Sequence, residues 1–62
     1  MLDPYERKTL KLIRQKGPVK FGEIIMRLAL SANHGHRIIS NLKKKELVMQ
    51  EQGRGFKTVE DH

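Results

Sequence analysis

The core of this chain must be very small, because 62 residues have to build it without a single cysteine. A chain of this length buries only about 60% of the surface that its unfolded form exposes, and disulfides often stabilise domains of this size. The lack of cysteine excludes both a disulfide framework and a thiolate zinc site. The sequence therefore predicts one domain over residues 1–62, built from a few short elements and suited to a reducing compartment.

The charge is strongly unbalanced. The chain has 13 Lys and Arg against seven Asp and Glu, a formal net charge of +6. This excess favours a polyanionic partner, although small domains also carry several net charges for solubility alone. No apolar stretch is long enough to span a membrane, and the N-terminus lacks the layout of a secretory signal. We therefore expect no membrane partner and a cytoplasmic location.

The first two thirds of the chain have helical periodicity. Asp3 can cap a first helix, Pro4 suits its first position, and Glu6 stands where a capping box needs a carboxylate. Gly17 ends this helix, and Ser31 can cap a later one. The predicted helices cover about 4–16, 21–29 and 32–45, which gives a mostly α fold.

The third predicted helix has two contrasting faces when it is plotted at 100° per residue. Gly35 lies on the apolar face, where glycine costs about 1 kcal/mol relative to alanine, so we expect it to allow a close approach of the second helix. The opposite face carries side chains that can pair with base edges. These are Asn33, Arg37, Ser40, Asn41 and Lys44, with His36 at the border.

After the third helix the pattern changes to that of strands. Apolar residues on both sides of the glycine-rich turn "EQGRG" predict a β-hairpin over about 47–59. Arg54 at its tip and Lys57 on the return strand could contact a phosphate backbone or a minor groove. The alternative is a glycine turn with a solvated arginine.

Residues 18–21 are interpreted as an apolar link between the first two helices.

Further cations and polar side chains lie near the same surface. Lys43 is at the edge of the polar face of the third helix, and Lys20 and Arg27 are assigned to the second helix. All three could hold phosphates without reading sequence. Lys45 can equally well be a phosphate contact or a solvated charge that suits the helix dipole. The predicted DNA-contacting residues on the third helix are Asn33, His34, His36, Arg37, Ser40, Asn41 and Lys44, and those on the hairpin are Arg54 and Lys57. The residues predicted to contact the DNA backbone are Lys20, Arg27, Ser31 and Lys43.

Metal binding and catalysis have little support. His34 and His36 point about 200° apart on a helix, and no cysteine or nearby carboxylate completes a ligand set. No nucleophile with a positioned base, no carboxylate pair and no phosphate-binding glycine loop is present. We therefore expect no enzyme activity, no cofactor and, given the little room for a pocket, no small-molecule ligand.

The chain resembles the winged helix-turn-helix family, in particular its minimal MarR-like domains. The resemblance covers nearly the whole length and includes Leu30, Ser31, Arg37, Leu42, "KELV" at 45–48, and the glycines 53 and 55. It implies that the third helix enters the major groove of duplex DNA and that the hairpin is a wing that reaches the backbone or the minor groove. The implied function is a small transcriptional regulator, nucleoid-associated if the source is prokaryotic.

Two departures from the family pattern affect the predicted helix ends. Ala29 replaces a frequent turn glycine, which is harmless if the turn keeps a negative φ. Glu46 replaces the glycine that usually ends the third helix in a left-handed conformation, so we expect the chain to leave this helix by a different path.

Two questions of partnership stay open in the sequence. Family members commonly dimerise through helices that flank this domain, so the candidate surface for a homodimer here is helix 1, with Leu2, Tyr5 and Leu12. The alternative to DNA binding is a winged-helix protein-interaction module in a multi-subunit assembly, because fold alone does not fix function. RNA binding is less favoured because aromatic residues that could stack on bases are scarce.

Overall fold

The computed structural model describes residues 2–59. Three helices are followed by two strands: α1 (Pro4–Lys16), α2 (Phe21–Leu28), α3 (Ala32–Lys44), β1 (Val48–Glu51) and β2 (Gly55–Thr58). The strands form an antiparallel hairpin in which Val48 lies opposite Thr58 and Glu51 lies opposite Gly55. The predicted class, mostly α with a small β-hairpin, is confirmed. Helices α2 and α3 each end one residue earlier than predicted.

The start of α1 follows directly from its local sequence. The Asp3 carboxylate accepts a hydrogen bond from the backbone N–H of Glu6 at 2.7 Å, and the Glu6 carboxylate accepts one from the N–H of Asp3 at 3.4 Å. Pro4 occupies the first turn. The capping box therefore forms as predicted, and it satisfies two backbone donors that the helix itself leaves without partners.

Both later helices end on a non-glycine residue in the left-handed region, with φ 55° at Ala29 and φ 60° at Glu46. After α2, the N–H of Leu30 donates to the carbonyl of Ile25 at 2.9 Å; after α3, the N–H of Leu47 donates to the carbonyl of Leu42 at 3.0 Å. These bonds define Schellman endings, which place an apolar residue back against the helix. The expected alternative path after Glu46 is therefore wrong, and the turn at Ala29 does not keep a negative φ.

The core receives side chains from every part of this fold. Eight buried apolar residues form one cluster: Ile13, Val19, Ile24, Ile38, Ile39, Leu42, Val48 and Phe56. Leu30 and Leu47, which follow the two left-handed residues, pack against the same cluster. Burial of these leucines gives a physical reason for the strained endings, since each apolar contact offsets part of the conformational cost.

A third line of backbone extends the hairpin. Val19 pairs with Phe56, with its N–H donating at 2.9 Å and its carbonyl accepting at 2.6 Å. Gly55 has φ 112°, and a Cβ placed there would overlap the carbonyl oxygen of Val19, so glycine is required at this position. Sequence patterns predict only an apolar link over residues 18–21, because a single residue that pairs with a strand produces no periodicity.

Helices α2 and α3 meet at Gly35, which is buried. A Cβ at this position would lie 2.5 Å from Cγ2 of Ile25 and 3.1 Å from two ring carbons of Phe21. The predicted close approach of the two helices at Gly35 is therefore confirmed. No helix within residues 2–59 has both the length and the apolar character needed to cross a membrane.

Candidate nucleic-acid interface

The polar face of α3 is exposed along most of the helix. Burial of Gly35, Ile38, Ile39 and Leu42 on one side turns the other side outward. Within residues 2–59, four side chains on this outward side are exposed and have no hydrogen bond or ion pair to another side chain: Asn33, Arg37, Ser40 and Lys44. We call these four residues the α3 polar surface. Their hydrogen-bonding groups are available to a partner.

One flank of α3 is attached to α1 through a buried carboxylate. Glu6 is 4% exposed and accepts hydrogen bonds from Nδ2 of Asn41 at 3.1 Å and Nζ of Lys45 at 2.8 Å. The bond from Lys45 lowers the pKa of Glu6, more than burial raises it. Asn41 and Lys45 therefore hold α3 on α1. The ammonium group of Lys45 is paired although its side chain stays 41% exposed, and a DNA contact by Asn41 stays a prediction.

Asn41 bonds to Glu6 because of its position on the helix. It lies on the α1 side of α3, about 60° from the centre of the polar face at 100° per residue. The capped N-terminus of α1 places Glu6 within reach of that side, and a buried carboxylate needs donors. The sequence gives Glu6 a capping role only. The hydrogen bonds to Glu6 come from Asn41, 35 positions later in the chain, and from Lys45, 39 positions later. Contacts over such distances leave no signal in local sequence spacing.

The two histidines of α3 occupy different surroundings. The ring of His34 is half-buried and meets Tyr5 edge to face, with 4.7 Å between ring centroids. The ring of His36 stacks on Phe21 with centroids 4.2 Å apart. Among residues 2–59, no group of three or more His, Asp or Glu side chains is placed to hold a metal ion. His34 therefore belongs to the α1 flank and His36 to the opposite one.

That opposite flank is an open groove of about 680 Å³ between α3, the start of α2 and the hairpin. Phe21, Ile39 and Phe56 give it an apolar lining, and Nζ of Lys43 lies 5.5 Å from the centroid of the Phe56 ring. The groove brings together several of the predicted contact residues: Lys20, His36, Ser40, Lys43 and Arg54. The hairpin and α3 thus form the two walls of one continuous surface.

The hairpin cations are paired within the hairpin. The carboxylate of Glu51 contacts Nζ of Lys57 at 2.9 Å and the guanidinium of Arg54 at 3.8 Å. These neighbours, Lys57 foremost, lower the pKa of Glu51. The side chain of Arg54 is still 72% exposed, so it can exchange this carboxylate for another anion.

The remaining predicted backbone contacts differ in their surroundings. Lys20 is exposed and lines the groove, whereas Arg27 lies outside it and pairs with Glu23 at 2.9 Å. The hydroxyl of Ser31 accepts a hydrogen bond from the N–H of His34 at 3.1 Å and so caps α3. Lys57 also lies outside the groove. A phosphate contact by any of these four stays a prediction.

The candidate dimer surface on α1 is less apolar than its sequence indicates. Leu2 and Leu12 are partly buried and pack against the core, while Tyr5 is 46% exposed. A homodimer through this helix therefore stays a prediction, with Tyr5 as the large exposed apolar side chain that α1 offers.

We compared the chain with protein-family models, curated proteins and solved structures, and found no match in any of the three comparisons. The resemblance to the winged helix-turn-helix family therefore stays a prediction. The functional argument depends on the geometry of this chain's own residues.

Proposed function

We propose that this protein binds duplex DNA as a small regulator of the winged helix-turn-helix type. The observation that carries the proposal is the α3 polar surface, whose exposed side chains have no internal hydrogen-bond partners. A helix of 13 residues is about 20 Å long at 1.5 Å per residue, and the major groove of B-DNA is wide enough to admit it.

The chemistry of the α3 polar surface suits base recognition. Arg37 can donate two parallel hydrogen bonds to guanine, Asn33 can pair with adenine, and Ser40 can donate or accept. Lys44 lies on the same face and adds a charge for a phosphate. Sequence discrimination would come from the first three residues, and affinity from the cations around them.

The groove beside α3 supports the same proposal. Lys20 lines it from just before α2, Lys43 from α3 and Arg54 from the hairpin, so a DNA backbone strand that follows α3 would meet cations from three parts of the fold. The hairpin would then act as the wing, over residues 51–57, with Arg54 on the backbone or in the minor groove.

A protein-interaction module is less well supported. Large apolar side chains exposed within residues 2–59 are Tyr5, Met26, Met49 and Val59, and none of them belongs to α3. Protein interfaces usually depend on a few buried aromatic or apolar anchors, which the α3 polar surface lacks. RNA binding by stacking would need several free aromatic rings. Phe56 is buried, Phe21 is stacked on His36, and Tyr5, although 46% exposed, packs edge to face on His34.

The test is fluorescence anisotropy of a labelled random-sequence duplex at low and moderate salt. Engagement of several phosphates predicts a log-log salt slope of about −3 to −6. Arg37→Ala should weaken binding to every duplex and relax selection at one base pair. The matched variant Arg37→Lys keeps the charge but loses the bidentate geometry, so it should keep most affinity and lose the same selection. A folded wild-type protein that leaves the duplex unbound at low salt would refute the proposal.

A further inference from the structure

The outward face of α1 carries a dense set of cations that the proposed interface does not use. Residues 7–16 contain five Lys and Arg and no acidic residue: Arg7, Lys8, Lys11, Arg14 and Lys16. All five are exposed. At 100° per residue, Arg7, Lys11 and Arg14 fall within about 60° of one another, and Lys8 lies beside them. We call these four residues the α1 basic face.

The α1 basic face is not neutralised inside the molecule. Elsewhere in the described chain, Glu23 pairs with a cation of α2, Glu6 with the lysine that follows α3, and Glu51 with cations of the hairpin. Within residues 2–59, the side chains of the α1 basic face form no ion pair and a single hydrogen bond, which the guanidinium of Arg7 donates to the carbonyl of Leu2 at 3.5 Å. Concentrated charge of one sign raises the local concentration of a polyanion.

This face also points away from α3. Besides core packing, the hydrogen bond and the ring contact that join α1 to α3 come from Glu6 and Tyr5. Lys11 lies about 140° from Glu6 and about 160° from the buried Thr9 and Ile13 on the helical wheel. Lys11 is at the centre of the α1 basic face on this wheel, so the middle of the face points away from the side of α1 that contacts α3. A straight duplex on the α3 polar surface would therefore leave the middle of the α1 basic face uncovered.

From these observations we infer that the α1 basic face binds a second DNA duplex, so that one copy of the protein can bridge two duplexes. The inference rests on the proposed function for the first duplex. Arg7, Lys11 and Arg14 are about 6 and 4.5 Å apart along the helix axis, so they form one row of cations on long, flexible side chains. Each strand of a duplex carries a phosphate about every 3.4 Å of its axis, so such a row can contact several phosphates at once. Contacts of this kind provide affinity without sequence preference.

A second copy of the chain is a poorer occupant of this face. Pairing two α1 basic faces would bring like charges together, and Leu2 and Leu12, which could supply apolar contact, are already packed against the core. A lipid surface is also poorly matched, because interfacial helices insert an exposed apolar side, whereas Ile13 and Leu10 of α1 face the core.

The experiment measures bridging and single-duplex binding on the same proteins. A biotinylated duplex is immobilised on beads, the protein is added at low salt, and capture of a second, fluorescent duplex is recorded. Anisotropy gives the affinity for one free duplex. Two exposed triple variants each remove three positive charges: Lys8→Gln with Lys11→Gln and Arg14→Gln on α1, and Arg37→Gln with Lys43→Gln and Lys44→Gln on α3. Circular dichroism confirms that both stay folded.

We expect wild-type protein to capture the second duplex. The α1 variant should lose capture by about tenfold or more while its affinity for one duplex changes less than about threefold, and the α3 variant should lose single-duplex affinity. Sedimentation should show that the free protein is a monomer at the concentrations used, so that bridging does not come from a dimer.

The possible failures are distinguishable. Wild-type protein that binds one duplex with the α3 dependence but captures no second duplex would overturn the bridging inference and leave the proposed function intact. Equal losses of capture and of single-duplex affinity in the α1 variant would also overturn it, because one duplex would then contact both faces. Single-duplex binding that survives in the α3 variant and disappears in the α1 variant would refute the assignment of α3.

Discussion

The two flanks of α3 are built in opposite ways. On the α1 flank, Glu6 is buried and accepts hydrogen bonds from Asn41 and Lys45, so that polar groups are satisfied inside the molecule. On the hairpin flank, an open groove of about 680 Å³ lies between the exposed side of α3 and the hairpin turn, and cations line it without filling it. One flank fixes the helix, and the other leaves room for a partner.

The difference shows how a very small domain can present a rigid polar helix. A side chain aimed at a ligand is useful only if the helix that carries it keeps its orientation. Here Glu6 joins two helices through their side chains, and the close contact at Gly35 fixes the crossing with α2. The α3 polar surface is left free of internal contacts because its neighbours on both sides supply the support.

The largest expected effect comes from breaking the α1 flank. Glu6→Ala removes half of the capping box and leaves Asn41 and Lys45 without their acceptor. We expect the free energy of unfolding to fall by about 2 kcal/mol, in the range found for hydrogen bonds to charged groups. Urea denaturation measures it. Glu6→Gln, which keeps the shape of the side chain, should lose less, and an unchanged midpoint in Glu6→Ala would contradict the role of this flank.

The same carboxylate predicts how stability depends on pH. Because the folded state lowers the pKa of Glu6 from its usual value of 4.5, the unfolded state binds more protons in the acidic range. This contribution is present above about pH 4.5 and is lost as the pH falls through the lowered pKa. Glu6→Gln should therefore show a flatter loss of stability below that pH than wild-type protein. Parallel profiles would mean that Glu6 is not held by Lys45 in solution.

The next largest effect on stability is expected at the contact between α2 and α3. Gly35 lies at this contact, and Gly22, which lies in open space, is its control. Gly35→Ala would place a Cβ 2.5 Å from Cγ2 of Ile25, so overpacking should outweigh the better helix propensity and cost about 1 kcal/mol. Gly22→Ala meets open space and should stabilise by up to about 1 kcal/mol. Thermal denaturation measures both.

A double variant identifies the contact itself. Ile25→Leu removes the branch at Cβ that a new methyl group would meet, so it should restore part of the stability lost in Gly35→Ala. If Gly35→Ala alone were as stable as wild-type protein, the two helices would not be as close in solution as the structure places them.

Sequence patterns predicted the elements better than the contacts between them. The capping box at Asp3 and Glu6 and the inward position of Gly35 are local or periodic features, and both were confirmed. The bond from Lys45 to Glu6 spans 39 positions, and the pairing of Val19 with Phe56 involves a single residue on one side. Neither leaves a periodic pattern, so the attachment of α3 and the support of the hairpin could not be predicted.

The predicted backbone conformations at the ends of α2 and α3 were wrong for a different reason. Propensity argues against a left-handed Glu46, because its Cβ makes that conformation costly by about 1–2 kcal/mol. Glu46 is nevertheless left-handed in the structure, because this conformation lets the next residue, Leu47, pack against the core. Local preference therefore lost to burial of the following leucine, a tertiary effect that no local rule contains.

This strained residue joins the fixed flank of α3 to the hairpin, and it gives a smaller effect. Glu46→Gly should stabilise the protein by about 0.5–1 kcal/mol, since glycine adopts φ 60° without a Cβ but loses more entropy on folding. Ala32→Gly, at a position of ordinary helical φ, is the control and should destabilise. Denaturant midpoints that fall in both variants would show that Glu46 is not left-handed in solution.

The smallest effect tests the open flank, through binding to DNA. Glu51 pairs with both Lys57 and Arg54, so a duplex must displace a carboxylate before these cations can reach phosphates. Glu51→Gln frees them and should tighten duplex binding by about two- to fivefold, with a steeper dependence on salt because more counterions are released. The measurement is anisotropy with one labelled duplex across a salt series.

The control for this variant must remove the same charge without releasing a cation. Glu46→Gln does so, because Glu46 is exposed and forms no ion pair within residues 2–59. If both variants tighten binding equally, the gain reflects net charge alone, and the hairpin needs no direct contact with DNA. A gain confined to Glu51→Gln would place the hairpin cations at the duplex, because of these two substitutions only Glu51→Gln uncovers charges that a phosphate can use.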